Sequence, residues 1–165
     1  MMAKTDTVDP MSTPIIGSIN LIFDVTWIDA TSSLALYGFC VVYLCLTLVI
    51  VGQRTVLTMT GQRKANEFSP TGDGSSAFTC RLLRAHANMG EAFPLWGLLL
   101  LAIATDQTAV TDGLSLYCLG ARIAQVITHL ISTSELAVKI RFAFFLTQLG
   151  IFAAWLFGFG AAWLA

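Results

Sequence analysis

Four stretches of this 165-residue chain are each long and apolar enough to cross a lipid bilayer, and this narrows the possible folds more than any other feature. Inside hydrocarbon there is no water to satisfy backbone N–H and C=O groups, so only helices and closed barrels can span. Continuous apolar runs, rather than strict alternation, select helices. About 20 residues cover the ~30 Å of hydrocarbon. The runs lie at residues 33–57, 78–105, 113–132 and 140–164; the second contains Pro94 and the fourth ends in the aromatic stretch Trp155 to Trp163. Charged side chains make up 12% of the sequence, about half the share of a soluble domain. The expected fold is an all-α integral membrane protein, a four-transmembrane-helix bundle occupying residues 33–165 as one domain.

The connections are short except for residues 61–76, where Pro70, Gly72 and Gly74 mark a loop. Turns are expected at 106–112 and 133–138. Residues 1–32 are interrupted by Pro10, Pro14, Gly17, Asp24 and Asp29; they lack the uninterrupted core and cleavage site of a signal peptide. An interfacial, extracytoplasmic segment with Trp27 in the aromatic belt is expected there. Cys40, Cys45, Cys80 and Cys118 form no CxxC pair and suit packing better than a disulfide or metal framework, and no metal site is expected. Arg54, Arg63, Lys64, Arg81 and Arg84 flank the first loop, and Lys139 and Arg141 the third, while the second loop carries only acids. The positive-inside rule then places loops one and three in the cytoplasm and both termini outside. A net charge of −1 offers no basic field for nucleic acid.

Polar residues inside two of the spans need an explanation. Arg84, Asn88 and Glu91 fall at i, i+4 and i+7 in the second span, and Arg122, Gln125 and His129 at i, i+3 and i+7 in the third. At about 100° per residue each trio lies within about 60° on one helix face. An ionisable group at membrane depth costs about 2.5–3.5 kcal/mol unless paired or wet. Adjacent antiparallel helices bring residues of equal depth together when their position numbers add to a constant. One such register pairs Glu91 with Arg122, Asn88 with Gln125 and Arg84 with His129. The first two pairs satisfy themselves, and the third calls for an anion. Interhelical glue, built mostly from amides and hydroxyls, explains the charged members less well than a ligand site does. A proton relay through Glu91 and His129 is a third option, although a chain of four spans lacks the internal repeat of transporters.

The string Arg81-Leu-Leu-Arg84-Ala-His86-Ala-Asn88-Met-Gly-Glu91-Ala-Phe-Pro94-Leu-Trp96 resembles the second-helix signature of the MAPEG family, the membrane-associated proteins of eicosanoid and glutathione metabolism. Gly120-Ala-Arg122 is similar to the start of that family's third-helix motif, and the likeness runs through all four spans. The resemblance implies a four-helix protomer assembled as a homotrimer, with glutathione as co-substrate bound between protomers near the cytoplasmic side. Arg84, Asn88 and Glu91 match positions that contact glutathione in catalytic members, and Arg122 matches an arginine on the third helix. Two positions depart from the pattern. His129 stands where catalytic relatives carry a tyrosine, and Gln125 replaces an aromatic residue or histidine. The thiolate-stabilising arginine of the family has its nearest counterpart in Arg141, with Lys139 as competitor, if the third loop is a few residues longer.

These observations imply a glutathione-dependent transferase or peroxidase acting on hydrophobic small molecules that partition into membrane lipid. Arg141 would be the catalytic cation, with Arg84, Asn88, Glu91, Arg122, Gln125 and His129 holding the tripeptide. The alternative is a non-catalytic lipid- or glutathione-binding membrane protein of the same fold, which the missing tyrosine favours and the intact second-helix face opposes. A purely structural assembly subunit would bind no small ligand.

Overall fold

A computed structural model describes residues 31–164. Among these residues the chain is all helical: α1 (Thr31–Met59), α2 (Ala77–Ala104), α3 (Asp112–Ile131) and α4 (Glu135–Leu164), with short 3-10 turns at Ala65–Glu67 and Thr108–Val110. All four helices are long and apolar enough to cross a membrane. At 1.5 Å per residue, α3 is about 30 Å long, just the hydrocarbon thickness, whereas the other three run to about 42–45 Å and must tilt or project beyond it. Residues 1–30, with the interfacial reading of Trp27, lie outside the described residues. Thr31 and Ser32 belong to α1 rather than to a preceding segment.

One boundary differs from the sequence expectation for a local reason. The fourth helix begins at Glu135, not near residue 140, because Ser134 caps it: its hydroxyl accepts from Ala137 N–H (3.3 Å) and its carbonyl from Val138 N–H (3.0 Å). Glu135 suits the first turn and pairs with Lys139 at 2.7 Å, one turn on. Hydropathy sees only the part of α4 that is apolar, so the sequence expectation leaves this polar first turn in the loop. At the opposite end, the Asp112 carboxylate accepts from Ser32 N–H (2.9 Å), Ser32 Oγ (2.6 Å) and Thr31 Oγ1 (3.3 Å). It thereby ties the first turn of α1 to the start of α3, where Ser32, Thr111 and Ser115 are fully buried.

Bulky apolar side chains fill the half of the bundle that holds this Asp112 tie. Phe39 of α1 stacks on Trp96 of α2 with ring centres 4.5 Å apart; Trp96 meets Phe152 edge-on at 6.1 Å, and Phe152 meets Trp155 at 5.6 Å. Of the four cysteines only Cys118 joins the core, while Cys40 and Cys45 lie on the outward face of α1. Pro94 lies within α2 and removes one helical hydrogen bond donor. One turn earlier, Gly90 lets the Tyr43 ring approach: a Cβ there would lie 3.3 Å from the Tyr43 hydroxyl. Large side chains thus occupy one half, and the polar residues of α2 and α3 are left the middle and the basic end.

Candidate functional site

Arg122 is the centre of the polar set. It lies midway along α3, only 1% exposed, with its Nη1 donating to Asn88 Oδ1 of α2 (2.7 Å) and to Gln125 Oε1 one turn on (3.1 Å). Gln148 of α4, also buried, donates through Nε2 to the same Gln125 oxygen (3.0 Å) and to the Phe144 carbonyl (2.9 Å). The result is a chain of polar contacts running across three helices at mid-depth. It is incomplete, since Arg122 Nε and Gln148 Oε1 are buried without partners. No carboxylate answers the guanidinium: among the described residues the one ion pair within 4.0 Å is Lys139–Glu135.

The expected pairings are therefore corrected. Arg122 meets Asn88 and not Glu91, Gln125 meets Gln148 and not Asn88, and His129 meets Arg141 and not Arg84. The α2–α3 register differs from the expected one by two to three residues, about 3–4.5 Å along the axis. It is pinned at the basic end by Arg81, whose Nε donates to the Leu130 carbonyl at 2.8 Å. Core packing and this backbone contact set the register, not acid–base matching. Arg84 and Glu91 lie exposed on the outer side of α2 among the described residues.

Nearer the basic end Arg141 Nη1 lies 2.9 Å from His129 Nδ1. A guanidinium only donates, so Nδ1 is the acceptor here and Nε2 is left to carry the ring proton. Because α4 begins at Glu135, Arg141 stands nearly two turns into the helix and reaches the α3 face. Lys139 points away, 70% exposed and paired with Glu135. The structure thus turns Arg141, and not Lys139, toward the polar set.

His86, at the centre of the second-helix string, has a different place. Its ring stacks on Tyr43 (4.7 Å), and Nε2 lies 3.0 Å from Thr47 Oγ1, whose own proton goes to the Tyr43 carbonyl at 2.9 Å. It is a tie between α1 and α2, about 160° around the helix from Arg84. Sequence reasoning missed Gln148. A lone amide in the middle of an apolar span was the available signal, since such a group needs a partner in lipid, but its partner emerges only when α3 and α4 are laid side by side.

Asn88, Arg122, Gln125 and Gln148 thus form one connected group and His129 with Arg141 a second, with Arg84 and Glu91 exposed beside them. Such an arrangement can hold a polar, anionic molecule against α2 and α3, and it places a guanidinium–imidazole pair one to two turns closer to the basic end. No curated protein and no solved structure matches the chain. The profile of the MAPEG family matches residues 32–161, covering nearly every described residue. With the four apolar helices and the polar set they carry, this match shows that the chain belongs to the MAPEG family, and so to the membrane proteins of glutathione and eicosanoid metabolism.

Proposed function

We propose that the protein is a membrane-bound glutathione-dependent transferase or peroxidase acting on hydrophobic electrophiles dissolved in the bilayer. The observation that carries this reading is a buried arginine, Arg122, with an unpartnered Nε and, among the described residues, no carboxylate within 4.0 Å, beside a flank where Arg84 and Glu91 are exposed. Charges at membrane depth need cover. Glutathione supplies the complement: two carboxylates for arginines and an ammonium for Glu91. A second and third copy of the chain would close the open flank, making a homotrimer with the tripeptide between protomers. Arg141 then faces the thiol. An opposite charge within about 4–6 Å lowers an acid's pKa by about 1–3 units, which favours the thiolate, the nucleophilic form. His129 offers Nε2–H as a donor in place of the tyrosine hydroxyl of catalytic relatives. The second substrate arrives by partitioning into lipid. The basic residues of the first and third loops support an orientation with those loops in the cytoplasm and both termini outside.

Calorimetry with glutathione on detergent-purified protein tests the reading. Binding is expected in the wild type and roughly tenfold or greater loss in Arg122→Met, as follows from removing a hydrogen-bonded charge; absence of any binding would refute it. A reporter fused after Ala165 is expected on the outside of the membrane. A second reading, a non-catalytic binding protein of the same fold, is favoured by the contact in which Arg141 already donates to His129. It predicts glutathione or lipid binding with no conjugation or peroxidase turnover.

A further inference from the structure

We infer that a groove at the basic end of the protomer, between the last turns of α1, the 61–76 loop and the start of α2, holds the anionic headgroup of a membrane phospholipid. The groove encloses about 510 Å3, within the usual range for a small-molecule site. Thr79 on its wall is about 140° around α2 from Arg84, so within one chain the groove opens on a different side of α2 from Arg84.

Its lining is divided. One side is apolar, made by Gly52, Val56 and Leu57 of α1, and a Cβ built at Gly52 meets nothing within 4 Å. The other side carries donors. Arg63 is docked on the loop, with Nη1 donating to Ser75 Oγ (3.0 Å) and Nη2 to the Gly74 carbonyl. Glycine at 74, at φ +71°, permits that approach, because a Cβ there would lie 2.9 Å from the guanidinium. Two of the five guanidinium N–H groups are thereby engaged and the rest stay available. Gln53 accepts from Thr79 Oγ1 at 3.2 Å, which leaves its amide N–H groups as donors.

No acid in the loop neutralises this cation. Glu67 accepts from the Lys64 N–H (3.2 Å), and Asp73 accepts from Ser69 (3.2 Å) and Thr71. Arg54 adds charge nearby: its guanidinium and that of Arg63 both stand over the Phe68 ring, 5.5 and 5.9 Å from its centre. The free donors of Arg63 and Gln53 are thus available to an anion, and the apolar wall continuing along a membrane-spanning helix suits an alkyl chain attached to it. Basic pockets beside spanning helices recognise lipid headgroups in this way, and a planar guanidinium fork suits phosphate.

The test titrates detergent-purified protein with dioleoyl phosphatidylglycerol and reads the thermal midpoint, with native mass spectrometry counting retained lipid. Saturable stabilisation is expected, with roughly tenfold weaker binding in Arg63→Gln, which removes the charged donor. Because Arg63 also orders the loop, Gly52→Phe is the second variant. It fills the apolar side without touching the loop and is expected to weaken binding similarly, with helical content and oligomeric size as in the wild type. Dioleoylglycerol, which lacks phosphate, should not stabilise, and inorganic phosphate or oleate at the same concentration should shift the midpoint much less. The inference is overturned if both variants bind the phospholipid as the wild type does. It is equally overturned if dioleoylglycerol, inorganic phosphate or oleate stabilises the protein as well as the phospholipid.

Discussion

Asn88→Ala isolates the contact on which the polar set turns. The substitution removes the Oδ1 that accepts from Arg122 Nη1 at 2.7 Å, while Gln125 keeps its own bond at 3.1 Å. Hydrogen bonds between membrane helices average about 0.6 kcal/mol and reach about 1.7, whereas bonds to a charged group in a protein interior contribute about 1.5–3. Arg122 is charged, 1% exposed and already short of a partner at Nε, so the upper part of the membrane range applies, and the surviving Gln125 bond limits the loss. A coupling of about 1–2 kcal/mol between positions 88 and 122 is expected from a cycle of Asn88→Ala, Arg122→Met and the double variant. Reversible unfolding in mixed micelles, without glutathione, measures it. The same cycle on Glu91→Gln and Arg122→Met should give no more than about 0.5 kcal/mol, the noise level of independent sites. If Glu91 couples to Arg122 more strongly than Asn88 does, the register described above is wrong.

Gln148→Leu removes one donor to Gln125 while also deleting an unpaired oxygen; a loss of about 1 kcal/mol or less is expected, and a loss above about 3 kcal/mol in the same unfolding assay would mean the amide has partners not seen here. Asp112→Ala should cost about 1–2 kcal/mol, the usual value of a helix cap, and raise hydrogen exchange at the Ser32 amide, which now bonds to the carboxylate; unchanged exchange would contradict the tie between α1 and α3. Lys139→Ala breaks an exposed i,i+4 pair and should change stability by at most about 0.5 kcal/mol, with conjugation activity as in the wild type.

The spans were legible because lipid imposes a length and a hydropathy that few other structures need, and the observed helices start and stop within a few residues of the apolar runs. The start of α4 was the exception, since a helix and the membrane need not end together: Ser134, Glu135 and Lys139 extend the helix where hydropathy has already fallen. The faces were legible as well, because the 3.6-residue period aligns Arg84 with Asn88 and Glu91 whatever surrounds them. Depth was not. Pairing Glu91 with Arg122 satisfied charge on paper, but Arg81 on the Leu130 carbonyl and the fit of Phe39, Trp96 and Phe152 set the register instead. The fourth-helix contribution, Gln148, was unreadable for a related reason, since one amide in a span carries no information about its neighbour.

The most direct test of the account is the ultraviolet difference spectrum of the protein with and without glutathione at neutral pH. Thiolate absorbs where thiol does not, so the wild type is expected to show a thiolate band on adding glutathione. Arg141→Ala should abolish the band while the tripeptide still binds by calorimetry, and Lys139→Ala should leave it intact. A band that persists without Arg141, or one that never appears in wild-type protein with bound glutathione, would contradict the assignment of Arg141 to the thiol.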